Sequence, residues 1–231
     1  MEEKRTPMET ISHGISTETL FDKNMVEAIL GAYDMLSPYS VGRTRRVSSW
    51  TRSIGSVLHL NEASLKDMEN AAMLCDLGMW AVPAKIINKK GRLTLAEFRI
   101  VQQHPNLTLN MLKALPLSDE IKKNVRQHHE AFDGSGYPEH LSGDEIAIGA
   151  AIINLSCALF AITSIRPYRD PVSLSKAVEI INGENRKQFC PNVVDALKKA
   201  LNEGTITIDA FEPINDPFAS IRRDLELGFD S

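Results

Sequence analysis

The stretch HHEAFDGSGYP, residues 128–138, decides how this sequence folds and what it can do. Two histidines and an acid end a segment with helical periodicity, and a turn rich in glycine follows them. Glycine and proline end helices and form tight turns, so we place the histidines at a helix terminus. Histidines there either stabilise the negative end of the helix or line a site that performs chemistry.

The composition is that of an ordinary globular protein. The 231 residues suffice for one large domain with its own core, and the net charge of −4 provides no broad basic surface for nucleic acid. Three widely separated cysteines favour reduced thiols over a disulfide framework. The N-terminal MEEKRTPMETISHG lacks the apolar segment of a signal peptide. We expect a cytoplasmic protein that binds neither nucleic acid nor membrane.

One apolar stretch, IAIGAAIINLSCALFAITSI at residues 146–165, is about long enough to span a bilayer. It contains Asn154 and Ser156, and no aromatic anchors flank it. We interpret it as a buried central helix.

The rest of the chain predicts helices and shows no alternating strand pattern. We place helix starts at Ser37–Pro38, Ser64, Thr94 (with Glu97 in a capping box) and Ser118, and helix stops at Gly78 and Pro105. The first helix would turn Val47, Trp50, Ile54 and Val57 inward. The predicted fold is all-α, with one domain over residues 23–211 and tails at 1–22 and 212–231.

Four polar residues share apolar helix faces. Asp76, His104, His128 and His129 each follow an apolar residue by three or four positions, so all four point inward from three helices. Aspartate and histidine are ligands of Zn, Mn and Fe. Hydrogen-bonded core histidines have the same spacing, so periodicity alone does not separate a metal site from a polar core.

The string HHEAFDGSGYP, followed by LSGDEIAIGAAII and AITSIRPYR, resembles the HD-GYP domain. The upstream segment LGMWAVPAKIINKKGRLTLAEFRIVQQHP resembles it too, and the resemblance covers residues 35–200. HD-GYP domains are metal-dependent phosphohydrolases that cleave cyclic di-GMP. The resemblance implies an HD-domain-like helical bundle around a buried site for two or three metals. Its retained ligand positions are Asp76, His104, His128 and His129.

The same resemblance shows what has been replaced. The His of the family's His-Asp pair is Cys75, an upstream His ligand falls at Arg43, a later Asp ligand falls at Cys157, and a lysine falls at Met79. A guanidinium cannot ligate a cation and repels one. We therefore expect no working multinuclear centre and no bound cofactor.

The first functional hypothesis is a catalytically degenerate HD-GYP domain that acts as a regulatory or docking module in bacterial signalling linked to cyclic di-GMP. In the family, the Gly-Tyr-Pro loop contacts diguanylate cyclase (GGDEF) domains. Gly136, Tyr137 and Pro138 could dock such a partner here, and cyclic di-GMP is a further candidate. Alternatively, the loop only closes a helix end, with Gly134 and Gly136 at positive φ.

The second hypothesis is enzymatic. Asp76, His104 and His128 could hold one Fe, Mn or Zn ion for a phosphohydrolase or phosphodiesterase, with His129 as an extra ligand or proton donor.

Two further expectations follow from the resemblance. Cys75 and Cys157 should be neighbours. They could form a soft metal site or a redox pair, or they could pack as small apolar side chains, and we favour packing. Arg43 should replace the lost cation and form a salt bridge with Asp76, since a buried carboxylate needs a counter-charge.

Overall fold

The computed structural model describes residues 42–89, 91–164 and 171–207, which are helical apart from one isolated β-bridge between Asn185 and Phe189. In chain order the helices are α1 (Arg43–Val57), α2 (Glu62–Leu74), α3 (Ala84–Ile87), α4 (Leu95–Val101), α5 (His104–Leu112), α6 (Asp119–Gln127), α7 (Ile148–Thr163), α8 (Leu174–Gly183) and α9 (Pro191–Asn202). Two 3₁₀ segments, Leu77–Ala81 and Gly143–Glu145, follow α2 and precede α7. The predicted all-α class is confirmed for this part of the chain. Both predicted tails and the Ser37–Pro38 start lie outside it.

Helix α7 is the centre of the bundle and packs against α1, α2, α6, α8 and α9. It is apolar on nearly all sides, which suits a helix surrounded by other helices. Its 16 residues extend about 24 Å, less than the ~30 Å of a hydrocarbon core. None of the described helices is long and apolar enough to cross a membrane. The interpretation of residues 146–165 as a buried helix is therefore confirmed for the residues described.

The inward face of α1 packs against this centre. Val47, Trp50 and Ile54 are buried and Val57 is partly buried, as the periodicity predicted. The ring of Trp50 lies 6.4 Å from that of Phe160 in α7. Arg43 lies one turn before Val47 on this apolar face, which directs its side chain toward the interior.

The local start signals are confirmed in two places and wrong in one. Thr94 and Glu97 form the predicted capping box at the start of α4, and Ser118 caps α6 by accepting a hydrogen bond from the Ile121 N–H at 3.1 Å. Helix α2, however, begins earlier than Ser64. Asn61 is its cap and accepts a hydrogen bond from the Ser64 N–H at 3.0 Å.

Both predicted stops are also wrong. Helix α2 ends at Leu74, and Gly78 lies inside the following 3₁₀ segment. Pro105 falls in the first turn of α5, where its missing N–H has no helical partner to lose. His104 therefore begins a new helix instead of ending the previous one.

Gly78 is explained by packing. A Cβ at Gly78 would lie 2.1 Å from the carbonyl oxygen of His104 and 2.7 Å from the backbone nitrogen of Thr108. Both are backbone atoms, which cannot rotate away. The 3₁₀ segment can approach α5 this closely only with glycine.

We expect Gly78→Ala to lower the free energy of unfolding by about 1–3 kcal/mol or more, because the 3₁₀ segment must move away from α5. Gly183→Ala is the matched control, since a Cβ there meets no atom within 4 Å. It should cause no loss. Urea unfolding measures both variants, and equal losses would contradict this account of Gly78.

Candidate metal centre

Asp76 lies at the centre of the candidate site, two residues beyond the end of α2. Its side chain is only 11% exposed. The turn that carries it is fixed by Thr108, whose hydroxyl donates to the carbonyl of Cys75 at 2.9 Å and accepts from the Gly78 N–H at 2.8 Å. The carboxylate is thereby held where α2 meets α5.

One carboxylate oxygen, Oδ1, faces two histidines, which we call the imidazole side. His104 Nε2 lies 3.3 Å from Asp76 Oδ1 and His128 Nε2 lies 3.7 Å from it, while the two Nε2 atoms are 3.2 Å apart. Each Nδ1 contacts a backbone carbonyl, of Val101 at 2.8 Å and of Val125 at 2.7 Å. A carbonyl only accepts, so each Nδ1 carries the proton and each Nε2 presents its lone pair to the site.

The imidazole side fits one metal ion. Two ligand atoms bound to one ion at about 2.0–2.1 Å are about 3.3 Å apart in tetrahedral geometry, close to the separations found here. The ligand atoms of Asp76, His104, His128 and His129 all lie within 4.8 Å of one another. Asp76, His104 and His128 would hold such an ion, and His129 is within reach. When bound, the ion would act as a Lewis acid and activate water.

The other oxygen, Oδ2, faces Arg43. Arg43 Nη1 donates a hydrogen bond to Asp76 Oδ2, and Nη2 donates to the sulfur of Cys157 at 3.2 Å. The Arg43 side chain is 12% exposed. The predicted salt bridge between Arg43 and Asp76 is confirmed.

This arrangement keeps the carboxylate charged. Burial alone would raise the pKa of Asp76, but the charge of Arg43 holds it well below its usual range. Burial lowers the pKa of His128, and burial together with the neighbouring histidines lowers that of His129 strongly. An anionic Asp76 is thus paired with Arg43, next to the neutral imidazoles of His128 and His129.

Cys75 and Cys157 lie side by side next to Oδ2, as the resemblance implied, and we call this the thiol side. Their sulfur atoms and the Asp76 carboxylate lie within 4.8 Å of one another. Both are buried free thiols. Their mutual hydrogen bond raises the pKa of Cys75 and lowers that of Cys157, and the charge of Arg43 lowers the latter further.

Two further predicted positions are Met79, where the resemblance implies a lysine, and the Gly-Tyr-Pro loop. Met79 is partly buried against the main apolar core. The ring of Tyr137 stacks on His129, with centroids 4.8 Å apart and planes at 15°. Burial and the nearby Asp76 charge raise the pKa of Tyr137. Tyr137 therefore points into the site as well as belonging to the loop.

The two loop glycines have different roles. Gly134 has φ 83°, as predicted, but Gly136 does not adopt positive φ. Gly136 is buried, and a Cβ on it would lie 2.2 Å from the backbone nitrogen of Ala131. Close backbone approach, not positive φ, thus requires glycine at position 136.

Sequence reasoning missed Glu130 and Thr108. Glu130 is 2% exposed and accepts hydrogen bonds from the N–H groups of Glu139 at 2.6 Å and Leu141 at 3.1 Å, which fixes the far end of the loop. Thr108 follows His104 by four residues and shares its helix face, so helical spacing offered a signal. For Glu130 the only signal was its place beside the two histidines.

Comparisons with known proteins agree with this architecture. A family model described as HD domain matches residues 32–193. The chain is 35% identical over 185 residues to the 3'3'-cGAMP-specific phosphodiesterase 3 of Vibrio cholerae and 33% identical over 186 residues to the cyclic di-GMP phosphodiesterase of Thermotoga maritima. These alignments cover 78% and 77% of this chain but 40% and 50% of the relatives. The chain thus spans half of their length or less.

Solved structures show the same fold. A crystal structure of the cyclic GMP-AMP-specific phosphodiesterase V-cGAP3 of V. cholerae has a TM-score of 0.61 at 17% identity, covering 80% of this chain and 51% of that one. The HD domain of the L. monocytogenes phosphodiesterase PgpH, in complex with cyclic-di-AMP, has a TM-score of 0.55 at 18% identity, covering 80% of this chain and 100% of that one. The chain belongs to the HD-domain family and is of the HD-GYP type.

We expect Arg43→Met or Asp76→Asn alone to lower the free energy of unfolding by roughly 3–5 kcal/mol, because each leaves a buried charge without its partner. The double variant should lose less than the sum. Arg52→Met is the control, since Arg52 pairs with Glu62 and Glu69 from a 38% exposed position and should contribute less than about 1 kcal/mol. Additive losses in denaturant unfolding would contradict the pairing.

The same pair predicts a pH dependence. A depressed folded-state pKa gives stability that is present above the unfolded carboxyl pKa of about 3.9 and is lost as the pH falls through the folded value. Below about pH 4, wild type should therefore lose more stability than Arg43→Met. The free energy of unfolding of both proteins is measured as the pH is lowered. Equal losses in wild type and Arg43→Met would count against a charged, paired Asp76.

Proposed function

We propose that the chain is a catalytically degenerate HD-GYP domain that no longer hydrolyses cyclic dinucleotides and serves as a regulatory or docking module in bacterial signalling linked to cyclic di-GMP. One observation carries the proposal. Arg43 donates to both Asp76 Oδ2 and Cys157, at the place where the resemblance implies metal ligands.

The chemistry explains why this replacement removes activity. Multinuclear phosphodiester hydrolysis uses cations to activate water and to stabilise both the attacking and the leaving oxygen. Arg43 keeps its charge at any accessible pH and offers no lone pair to a metal. Met79, in place of the lysine, provides no positive contact for a substrate phosphate.

The residues retained at the site favour binding of a cyclic dinucleotide without its cleavage. The histidines of the imidazole side present ring nitrogens to the site, and Arg43 supplies a fixed cation beside them. Two relatives are named for action on 3'3'-cGAMP and on cyclic di-GMP. We propose cyclic di-GMP as the ligand, bound and not cut.

The Gly-Tyr-Pro loop is the proposed docking element for a diguanylate cyclase (GGDEF) domain. Its backbone is fixed at one end by the Tyr137 N–H, which donates to the His129 carbonyl at 3.1 Å, and at the other by the carboxylate of Glu130. A loop held at both ends loses little entropy on binding a partner. Stacking of Tyr137 on His129 would connect docking to the site.

The loss of hydrolysis is tested by rebuilding the site. Wild type should give no turnover of cyclic di-GMP or 3'3'-cGAMP with Mn²⁺ or Fe²⁺. The variant Arg43→His/Cys75→His/Met79→Lys/Cys157→Asp restores the ligand types that the resemblance implies and should gain turnover. Adding Asp76→Ala to that variant is the control and should abolish it. Wild-type turnover that Asp76→Ala removes would overturn the proposal.

Docking is tested with a purified diguanylate cyclase domain. Tyr137→Ala should weaken binding by ~10-fold or more, as for an aromatic anchor, while Tyr137→Phe, which keeps the ring, should bind normally. Trp80→Ala is the control, because Trp80 is an aromatic residue outside the loop and is 42% exposed. Equal affinity of wild type and Tyr137→Ala would exclude the loop as the docking element.

A second candidate function is a mononuclear phosphohydrolase or phosphodiesterase. The observation in its favour is the fit of Asp76, His104 and His128 to one metal ion. It predicts about one equivalent of Fe, Mn or Zn in the purified protein, and turnover of a generic phosphodiester that His104→Ala abolishes. Metal below about one tenth of an equivalent would exclude it.

A further inference from the structure

The thiol side has the chemistry of a different metal site. Resemblance to the family implies that a histidine ligand and an aspartate ligand have become Cys75 and Cys157. Cysteine still ligates metals, but its thiolate selects soft ions over the Mn²⁺ or Mg²⁺ that oxygen ligands prefer. The replacement thus exchanges an imidazole and a carboxylate for softer thiolates in this half of the site.

The geometry is close to that of a bound ion. Cys75 Sγ lies 3.7 Å from Asp76 Oδ2. Sulfur and oxygen bound to one tetrahedral Zn²⁺ at about 2.3 Å and 2.1 Å would be about 3.6 Å apart. Cys157 Sγ lies within 4.8 Å of both. The three ligand atoms therefore lie close enough together to bind one ion.

Arg43 fits this site as an outer partner. A divalent ion with two thiolates and one carboxylate carries a net charge of about −1, which the guanidinium neutralises. Arg43 already donates to the Cys157 sulfur at 3.2 Å and to Asp76. Its planar group has further N–H donors but no lone pair, so it can support the ligands without competing for the ion.

We propose that Cys75, Asp76 and Cys157 form a binding site for one soft divalent metal, Zn²⁺ in the cell, with Arg43 as its outer hydrogen-bond donor. Each thiol releases its proton when it binds the ion. The fourth position is open to water or to a ligand atom. The site shares Asp76 with the imidazole side but uses its other oxygen, Oδ2, together with the two sulfur atoms, and it requires no phosphodiesterase activity.

Cadmium serves as the probe, because thiolate–cadmium coordination gives an ultraviolet charge-transfer band. Titration of the full chain under reducing conditions should raise this band up to about one equivalent. Cys75→Ser and Cys157→Ser should each lose it. Cys190→Ser is the matched control, because Cys190 is a free cysteine outside the cluster, and it should keep the band. Absence of the band in wild type, or its persistence in both cluster variants, would overturn the proposal.

Two further measurements show which side of the site binds the metal. Cadmium NMR of the wild-type protein counts sulfur ligands without any substitution, and two are expected. The double variant His104→Ala/His128→Ala should keep the ultraviolet band. If cadmium were instead bound on the imidazole side, the NMR spectrum would show no sulfur ligand and the double variant would not bind the metal. Neither measurement involves turnover. A negative result would therefore exclude the thiol-side metal site without affecting the proposal that the chain no longer hydrolyses cyclic dinucleotides.

Discussion

The buried carboxylate of Asp76 is the constraint on which the site depends. A charge removed from water is tolerated only when it is paired and hydrogen-bonded. Arg43 and the thiols meet one oxygen, while His104 and His128 meet the other. These groups come from separate helices, so replacing one of them changes the electrostatics of the whole centre. The Arg43 guanidinium provides a positive charge next to this carboxylate.

The helical bundle is held together by apolar packing that does not involve Asp76. Helix α7 is buried through its apolar surface, and α1 contacts it through residues such as Trp50. Met79, in place of a polar lysine, packs against the same core. A domain built in this way can lose its hydrolytic chemistry and still present a rigid loop and a shaped, charged site, which is what a regulatory module requires.

The sequence predicted the features that depend on local energetics or on the family resemblance. It failed for features that depend on contacts between residues far apart in the chain. Asn61 and Ser64 are both good caps three residues apart, and the helix begins after the earlier one. Gly78 matched a helix stop, but its reason is the backbone of α5, 26 residues away at His104. Helical spacing showed that Asp76 faces inward, yet only the resemblance predicted that it meets Arg43, since periodicity carries no information about which helices are neighbours.

The central claim is that the Arg43 guanidinium, and not a second hard metal ion, neutralises Asp76 on its Oδ2 side. Anomalous diffraction from crystals grown with Mn²⁺ tests it most directly, because Mn²⁺ is a hard ion that favours oxygen and imidazole over thiolates. The account predicts at most one ion, on the imidazole side, with the Arg43 guanidinium still bonded to Asp76 Oδ2. Two manganese ions bridged by Asp76, with Arg43 turned away from the carboxylate, would contradict it.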